Sequence, residues 1–258
     1  MSTTSVTWWG HSTVWLADSG VTLLTDPVLT DRVAHLRRMA GPTPVLPGAP
    51  GAILLSHLHA DHFHLASLRL VPGEPMLVVP RGAAAFVAKT LGPAYGARCV
   101  ELAPGDDTTI GAVRVRAVPA AHDGGRGPWS RERALAIGFV IEGASRTWFA
   151  GDTGLFDEMS GIGPLDLALI PVGGWGPTLG SHHHLDAADA AEAVRRAKAA
   201  QAVPVHYGSL WPIGMGRLRT HMFREPGPRF AELAARIVPD TRVTVLAQGE
   251  SLTVERAR

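Results

Sequence analysis

Short apolar runs alternating with polar positions dominate the first third of the chain, over residues 6–9, 13–17, 21–25 and 52–56. This two-residue period predicts short strands closed by tight turns. From residue 76 the pattern becomes mixed, predicting a strand over 76–79, a helix over 82–91, and strands over 98–102, 112–118, 137–142, 147–150 and 167–172. A helix is expected over 187–199, where Asp186 can cap the first turn, and another over 229–237 ahead of a strand over 242–246. Runs of strands followed by helices, without strict βαβ alternation, place the chain in the α+β class. A four-layer αββα sandwich fits. No internal repeat and no Ser- or Pro-rich linker divides the sequence, so residues 1–258 are read as a single domain. Three segments rich in Pro and Gly, 29–51, 173–185 and 207–228, read as long loops. Loops of this length within a compact domain tend to be functional, and these are expected to wall a pocket.

Composition narrows the function. With 46% hydrophobic and 18% charged residues and no low-complexity run, the chain is globular, not a disordered tail or a coiled coil. Its 24 Lys and Arg against 23 Asp and Glu leave a formal charge of +1, which disfavours nucleic acid and points to a small-molecule substrate. Cys99 is the single cysteine, so no intrachain disulfide can form, which fits a reducing compartment. The opening residues lack the basic start and apolar centre of a signal peptide, and no stretch reaches the roughly eighteen apolar residues of a membrane helix. A cytoplasmic location is expected, and a homo-oligomer is left open.

The sharpest chemical signal is Ser56-His57-Leu58-His59-Ala60-Asp61-His62, directly after the apolar run 52–55. In extended chain His57 and His59 point to one side, and a following turn can direct Asp61 and His62 to a second point nearby. Three further ligand-type residues each follow an apolar strand: His122 after 118–121, Asp152 after 148–150, and His206 after 203–205. Singly, these read as a loop histidine, a turn former beside Gly154 and a core histidine. Together they read as a metal centre. Imidazole and carboxylate ligands favour zinc and also suit manganese or iron.

The order His-x-His-x-Asp-His, then His122, Asp152 and His206, resembles the metallo-β-lactamase superfamily over nearly the whole chain. Trp9-Gly10-His11-Ser12-Thr13, Leu24-Thr25-Asp26-Pro27, Gly151-Asp152-Thr153-Gly154 and His184-Leu185-Asp186 are similar to the branch containing N-acyl-phosphatidylethanolamine phospholipase D and ascorbate-6-phosphate lactonase. The resemblance implies an αββα sandwich of the metallo-β-lactamase type. It implies two divalent metal ions, one on His57, His59 and His122, another on Asp61, His62 and His206, with Asp152 bridging. Two metals about 3.5–4 Å apart activate a shared water as hydroxide, so a metal-dependent hydrolase of a small phosphodiester or ester is expected, with Asp61 counted among its catalytic residues. A lactonase and a non-catalytic metal sensor are the alternatives.

Asp26 corresponds to an acidic residue that supports the ligand loop, in keeping with the carboxylate partners of metal-bound imidazoles. His184 corresponds to an additional active-site histidine that contacts substrate or protonates the leaving group. Trp175 and Trp211 read equally as pocket lining or packing anchors, and His11 equally as support from the floor of the site or a buried structural histidine. Arg32, Arg37 and Arg38 could meet an anionic substrate, but a solvated basic edge is the expected reading. The chain starts almost at its first strand, so membrane docking and phospholipid specificity are not expected to transfer.

Overall fold

The computed structural model describes residues 3–127, 130–174, 183–215 and 220–256. In chain order the first half forms β1 (Thr4–Trp8), β2 (Val14–Asp18), β3 (Val21–Thr25), β4 (Arg32–Val33), β5 (Leu36–Arg38), β6 (Ala52–Leu54), α1 (Leu65–Leu70), β7 (Met76–Pro80), α2 (Ala84–Leu91), α3 (Pro93–Gly96), β8 (Cys99–Leu102), β9 (Asp107–Ile110) and β10 (Val113–Pro119). The second half forms β11 (Ile137–Glu142), β12 (Arg146–Phe149), β13 (Leu165–Pro171), α4 (Ala187–Arg196), β14 (Ala199–Val205), β15 (Leu210–Pro212), α5 (Thr220–Arg224), α6 (Pro226–Ile237), β16 (Arg242–Val243) and β17 (Ser251–Val254).

Two seven-stranded sheets carry the architecture, ordered β17-β1-β2-β3-β6-β7-β8 and β16-β14-β13-β12-β11-β10-β9. Their inner faces meet through Val6, Leu16, Leu23, Leu54 and Val78 on one side and Val115, Phe139, Ile141, Phe149 and Leu167 on the other. Outside the first sheet, Leu24, Ile53, Leu77 and Val79 pack against Leu68 of α1 and Phe86 and Val87 of α2. Outside the second, Val140, Trp148, Ala168 and Ile170 pack against Ala190 and Val194 of α4 and Phe230 and Ala234 of α6. The layers therefore run αββα, as the strand and helix pattern predicts. β13 is buried along its whole length between two parallel neighbours, which is why its sequence is a near-continuous apolar run. Among the described residues no helix is long and apolar enough to cross a membrane.

Several elements depart from the sequence expectation. The helix expected over 187–199 ends at Arg196, because Lys198 takes a left-handed conformation (φ 49°) and Ala199 opens β14. Its start is as expected, with the Asp186 carboxylate accepting from the backbone N–H groups of Ala188 and Asp189 at 2.8 and 2.9 Å. The strand expected over 242–246 shrinks to Arg242–Val243, and β9, β17 and α1 lie where none was expected. Two of the three long loops contain structure: β4 and β5 form a hairpin in one, β15 begins the other, and β15-β5-β4 pair as a third sheet. Strands of two or three residues alternate too briefly to show a period. Trp175 and His182, in the remaining loop, lie outside the described residues.

Candidate metal centre

The carboxyl ends of β6, β10, β12 and β14 open onto one region, and His57, His122, Asp152 and His206 each follow one of them. The turn after β1 brings His11 there, and the end of β3 brings Asp26. Backbone strain concentrates at the same place. His11, Asp26 and His206 all have positive φ, at 52°, 31° and 60°; for residues other than glycine this conformation costs energy that surrounding contacts must offset. His206 N donates to the His11 carbonyl at 2.9 Å and Trp8 Nε1 donates to the same oxygen at 2.9 Å, so the two turns lock each other. Gly151 is obligatory beside Asp152: its φ is 62°, and a Cβ there would lie 2.7 Å from the Cβ of Ser56.

Partners on the outer side fix which nitrogen each imidazole turns inward. Asp26, fully buried, accepts from Ser56 N at 2.8 Å, from Ser56 Oγ at 2.5 Å and from His62 Nδ1 at 2.7 Å. Because Ser56 spends its proton on Asp26, its oxygen accepts from Nδ1 of His57 at 2.9 Å. His122 Nδ1 donates to the His183 carbonyl at 2.8 Å. These bonds engage Nδ1 on the outer side and turn Nε2 of His57, His62 and His122 inward, the arrangement that ligating histidines need. Nε2 of His57 and Nε2 of His122 lie 2.9 and 3.1 Å from Nδ1 of His59, making one trio. Nε2 of His62 and Nε2 of His206 lie 3.2 Å apart, and the same two atoms stand 3.2 and 3.1 Å from Oδ2 of Asp152.

The titratable groups of the cluster are shifted in both directions. Burial drives the pKa of His57 well below the ordinary value, and burial likewise lowers His122 and His11 to about 4. Burial by itself would raise the carboxyls of Asp61 and Asp152, yet the surrounding histidines hold both well below the usual range. Burial by itself would lower His62 as well, yet Asp152, Asp26 and Asp61 hold its pKa well above the ordinary value, so carboxylates and ring nitrogens converge in one buried cluster. Oδ1 of Asp152 is buried with no hydrogen-bond partner in the protein. An orphaned carboxylate oxygen and closely facing ring nitrogens are costly in a dry interior, and divalent cations satisfy both. The donor set therefore fits metal.

Within ligand reach of one another stand His57, His59 and His122; His11, Asp61, His62 and His206; and His122, Asp152 and His184. All seven residues read from the sequence as ligands are thus gathered at one point. Two more join them. His11 Nε2 lies 3.2 Å from Asp61 Oδ2, in the midst of the second group, where the sequence left its role undivided between site and core. His184 Nε2 lies 3.5 Å from Asp152 Oδ2, and its Nδ1 is buried without a partner. Ser56, Ser209 and Arg126 carried no sequence signal. Ser209 Oγ accepts from His11 N at 2.5 Å, and Arg126 Nη1 donates to the carbonyls of Leu58 and Phe63 at 2.9 and 2.6 Å, bracing the ligand loop.

Among the arginines of the first long loop, Arg38 departs from the expected solvated edge. It is buried, and its guanidinium donates to the Val28 carbonyl at 2.9 Å, whereas Arg32 and Arg37 are exposed. Trp211 lines a cavity of about 510 Å³ that reaches His59, Asp61, Asp152, His184 and His206.

Comparison with known proteins agrees with this geometry. The family model described as Beta-lactamase superfamily domain matches residues 21–207, and the chain belongs to that superfamily. N-acyl-phosphatidylethanolamine-hydrolyzing phospholipase D 1 of Caenorhabditis elegans is 31% identical over 270 residues, covering 95% of this chain and 74% of the relative. A metal-dependent hydrolase of Thermoplasma acidophilum is 32% identical over 213 residues, covering 81% of this chain and 85% of the relative. The chain spans 64% of the length of the relatives it matches in Mycobacterium bovis and Mycobacterium tuberculosis. A metallo hydrolase of known structure from Ignicoccus hospitalis aligns with a TM-score of 0.74 at 21% identity, covering 99% of this chain and all of that one. The αββα sandwich is thus of the metallo-β-lactamase type.

Proposed function

We propose that the chain is a metal-dependent hydrolase of a small ester or phosphodiester. In this reading one cation is held by His57, His59 and His122, a second by Asp61, His62 and His206, and Asp152 lies between them. The observation that carries the reading is the set of outward bonds to Asp26, Ser56 and the His183 carbonyl, which turns the other ring nitrogens of His62, His57 and His122 inward to ligate. Zinc suits such ligands, as do manganese and iron, and when bound these ions lower the pKa of water and polarise a carbonyl or phosphoryl oxygen. The Caenorhabditis and Thermoplasma relatives, both hydrolases by name, support the same class.

The chain's own groups do the rest. Strand ends anchor the ligands, and Asp26, at 0% exposure, keeps His62 in one tautomer. His184 stands on the cavity side of Asp152, positioned to contact a substrate or pass a proton to its leaving group. No Ser or Cys nucleophile is needed.

Elemental analysis after metal reconstitution, paired with turnover on bis-p-nitrophenyl phosphate, p-nitrophenyl esters and lactones, tests the proposal. About two transition-metal ions per chain are expected, with turnover lost in Asp61→Asn and His122→Ala. One ion or none, with no hydrolysis of any of these compounds, overturns it.

A further inference from the structure

The cavity beside the candidate metal centre has two unlike ends. At one end stand His11, His59, Asp61, Asp152, His184 and His206. The rest of the lining is mainly apolar, from Val33, Leu36, Leu210, Trp211 and Phe223, with His35 and Tyr207 the polar side chains there. Among the described residues lining the cavity there is no Arg or Lys. We infer that the group flanking the scissile bond is uncharged, apolar and compact, seated between the β4–β5 hairpin and the Trp211–Phe223 pair. This inference rests on the hydrolase reading and names its substrate class as apolar carboxylic esters, lactones included, in place of phosphodiesters.

Three observations support it. The apolar wall is built and held. Trp211 and Phe223 meet edge to face with centroids 5.4 Å apart, and Trp211 Nε1 donates to the Met215 carbonyl at 3.0 Å, so the indole orientation is set. The hairpin is pinned over the cavity by pairing of Leu36 with Pro212 and of Trp211 with Arg37, and its two-residue tip places Ala34 at a φ of 49°. That conformation is unfavourable for alanine, yet it directs the hairpin tip to the cavity, where Val33, Ala34, His35 and Leu36 all form lining. Finally, a charged substituent here would lose its hydration with no Arg or Lys to meet it among the described lining residues, whereas an alkyl or aryl group gains by burial. A volume of about 510 Å³, shared with the reacting group, suits a compact molecule.

The test uses the metal-loaded protein in two assays. In the first, kcat/KM is measured for p-nitrophenyl acetate, butyrate, hexanoate and laurate and for bis-p-nitrophenyl phosphate. Each methylene buried against an apolar wall is worth about fourfold, so hexanoate, with four more methylenes, should exceed acetate by about 250-fold, laurate should fall back, and the phosphodiester should be the poorest. In Leu36→Asp the hexanoate-to-acetate ratio should drop at least tenfold, with circular dichroism verifying the fold. In the second assay, calorimetry compares hexanamide with acetamide, which share a head group and differ only in chain; hexanamide should bind about 250-fold more tightly. Length-independent esterase rates, equal binding of the two amides, or a preference for the phosphodiester would each overturn the inference while the hydrolase reading stands. Tight binding of hexanamide without hydrolysis of any ester would leave the apolar subsite intact and remove the hydrolase reading instead.

Discussion

Asp26 Oδ2 sits 2.7 Å from Nδ1 of His62, both side chains fully buried, and this pair sets the tautomer on which the second ligand group depends. Outer partners of metal-bound histidines typically contribute about 10–100-fold to metal affinity. Asp26→Ala should therefore weaken metal binding by roughly that factor, read in a competitive chelator titration, acting on the His62 group directly and on His57 through Ser56, whose Oγ loses its acceptor. Unchanged affinity for every bound ion would show that Asp26 does not orient the ligands.

Arg126 should act through the loop that it braces. Its Nη1 bonds to the carbonyls of Leu58 and Phe63 enclose the segment carrying His59, Asp61 and His62. Arg126→Ala is expected to lower metal affinity about tenfold and to leave kcat nearly unchanged at saturating metal, because the residue touches no reacting atom. Lysine should rescue poorly, since it offers a point charge where the planar guanidinium serves two carbonyls. A fall in kcat at full metal occupancy would show that Arg126 does more than hold the loop.

His184 separates chemistry from metal binding. His184→Ala should retain both ions and lose turnover, and removal of a positioned general acid typically costs about 10²–10⁴-fold in kcat. A rise in KM with kcat preserved would instead mark a binding contact. Its 3.5 Å approach to Asp152 makes metal analysis of the variant essential, because loss of an ion would place His184 in the coordination sphere.

Stripping the metals should lower the melting temperature and restoring them should recover it, because ligands that bind only the folded state stabilise it by mass action. Differential scanning with and without chelator measures this. An unchanged transition would mean that the cluster binds no cation tightly.

Far from the site, Asp18 joins the turn after β11 to the end of β2, accepting from Ala144 N at 2.7 Å and from Thr4 Oγ1 at 2.5 Å. Burial opposes its charge, yet the hydrogen bond from Ser19 Oγ, followed by those from Thr4 and Ala144, holds its pKa below the ordinary 3.8. A carboxyl with a depressed folded-state pKa stabilises above its unfolded value, and this contribution is lost as pH falls through the folded value. Asp18→Asn should therefore cost about 1 kcal/mol or more at neutral pH and flatten the loss of stability below pH 3.8 in urea melts. A parallel shift at every pH would show that charge plays no part.

The seven candidate ligands were legible in the sequence because each follows an apolar strand, and the carboxyl end of a strand is a fixed place to mount a side chain. The αββα layering was legible for a similar reason: long buried strands such as β13 and amphipathic helices such as α4 write their environment into a run of residues. His11 was only half legible. Its ring reaches Asp61 through a left-handed turn locked to His206, a contact across 195 positions of chain that no local pattern encodes. Arg126 and Ser56 act through one or two hydrogen bonds each, and an arginine in a loop or a serine before a histidine has the same local sequence whether it bonds or not. The cavity wall was hidden most completely. β4, β5 and β15 are two or three residues long, too short for a period, and they exist as a sheet only because the tertiary fold brings residues 32–38 beside residues 210–212. Local sequence thus determined which chemistry the chain can mount, through side chains whose placement follows from the strands that carry them. Tertiary packing decided which nitrogen each histidine turns inward and what surface faces the metal centre, because both depend on partners distant in sequence.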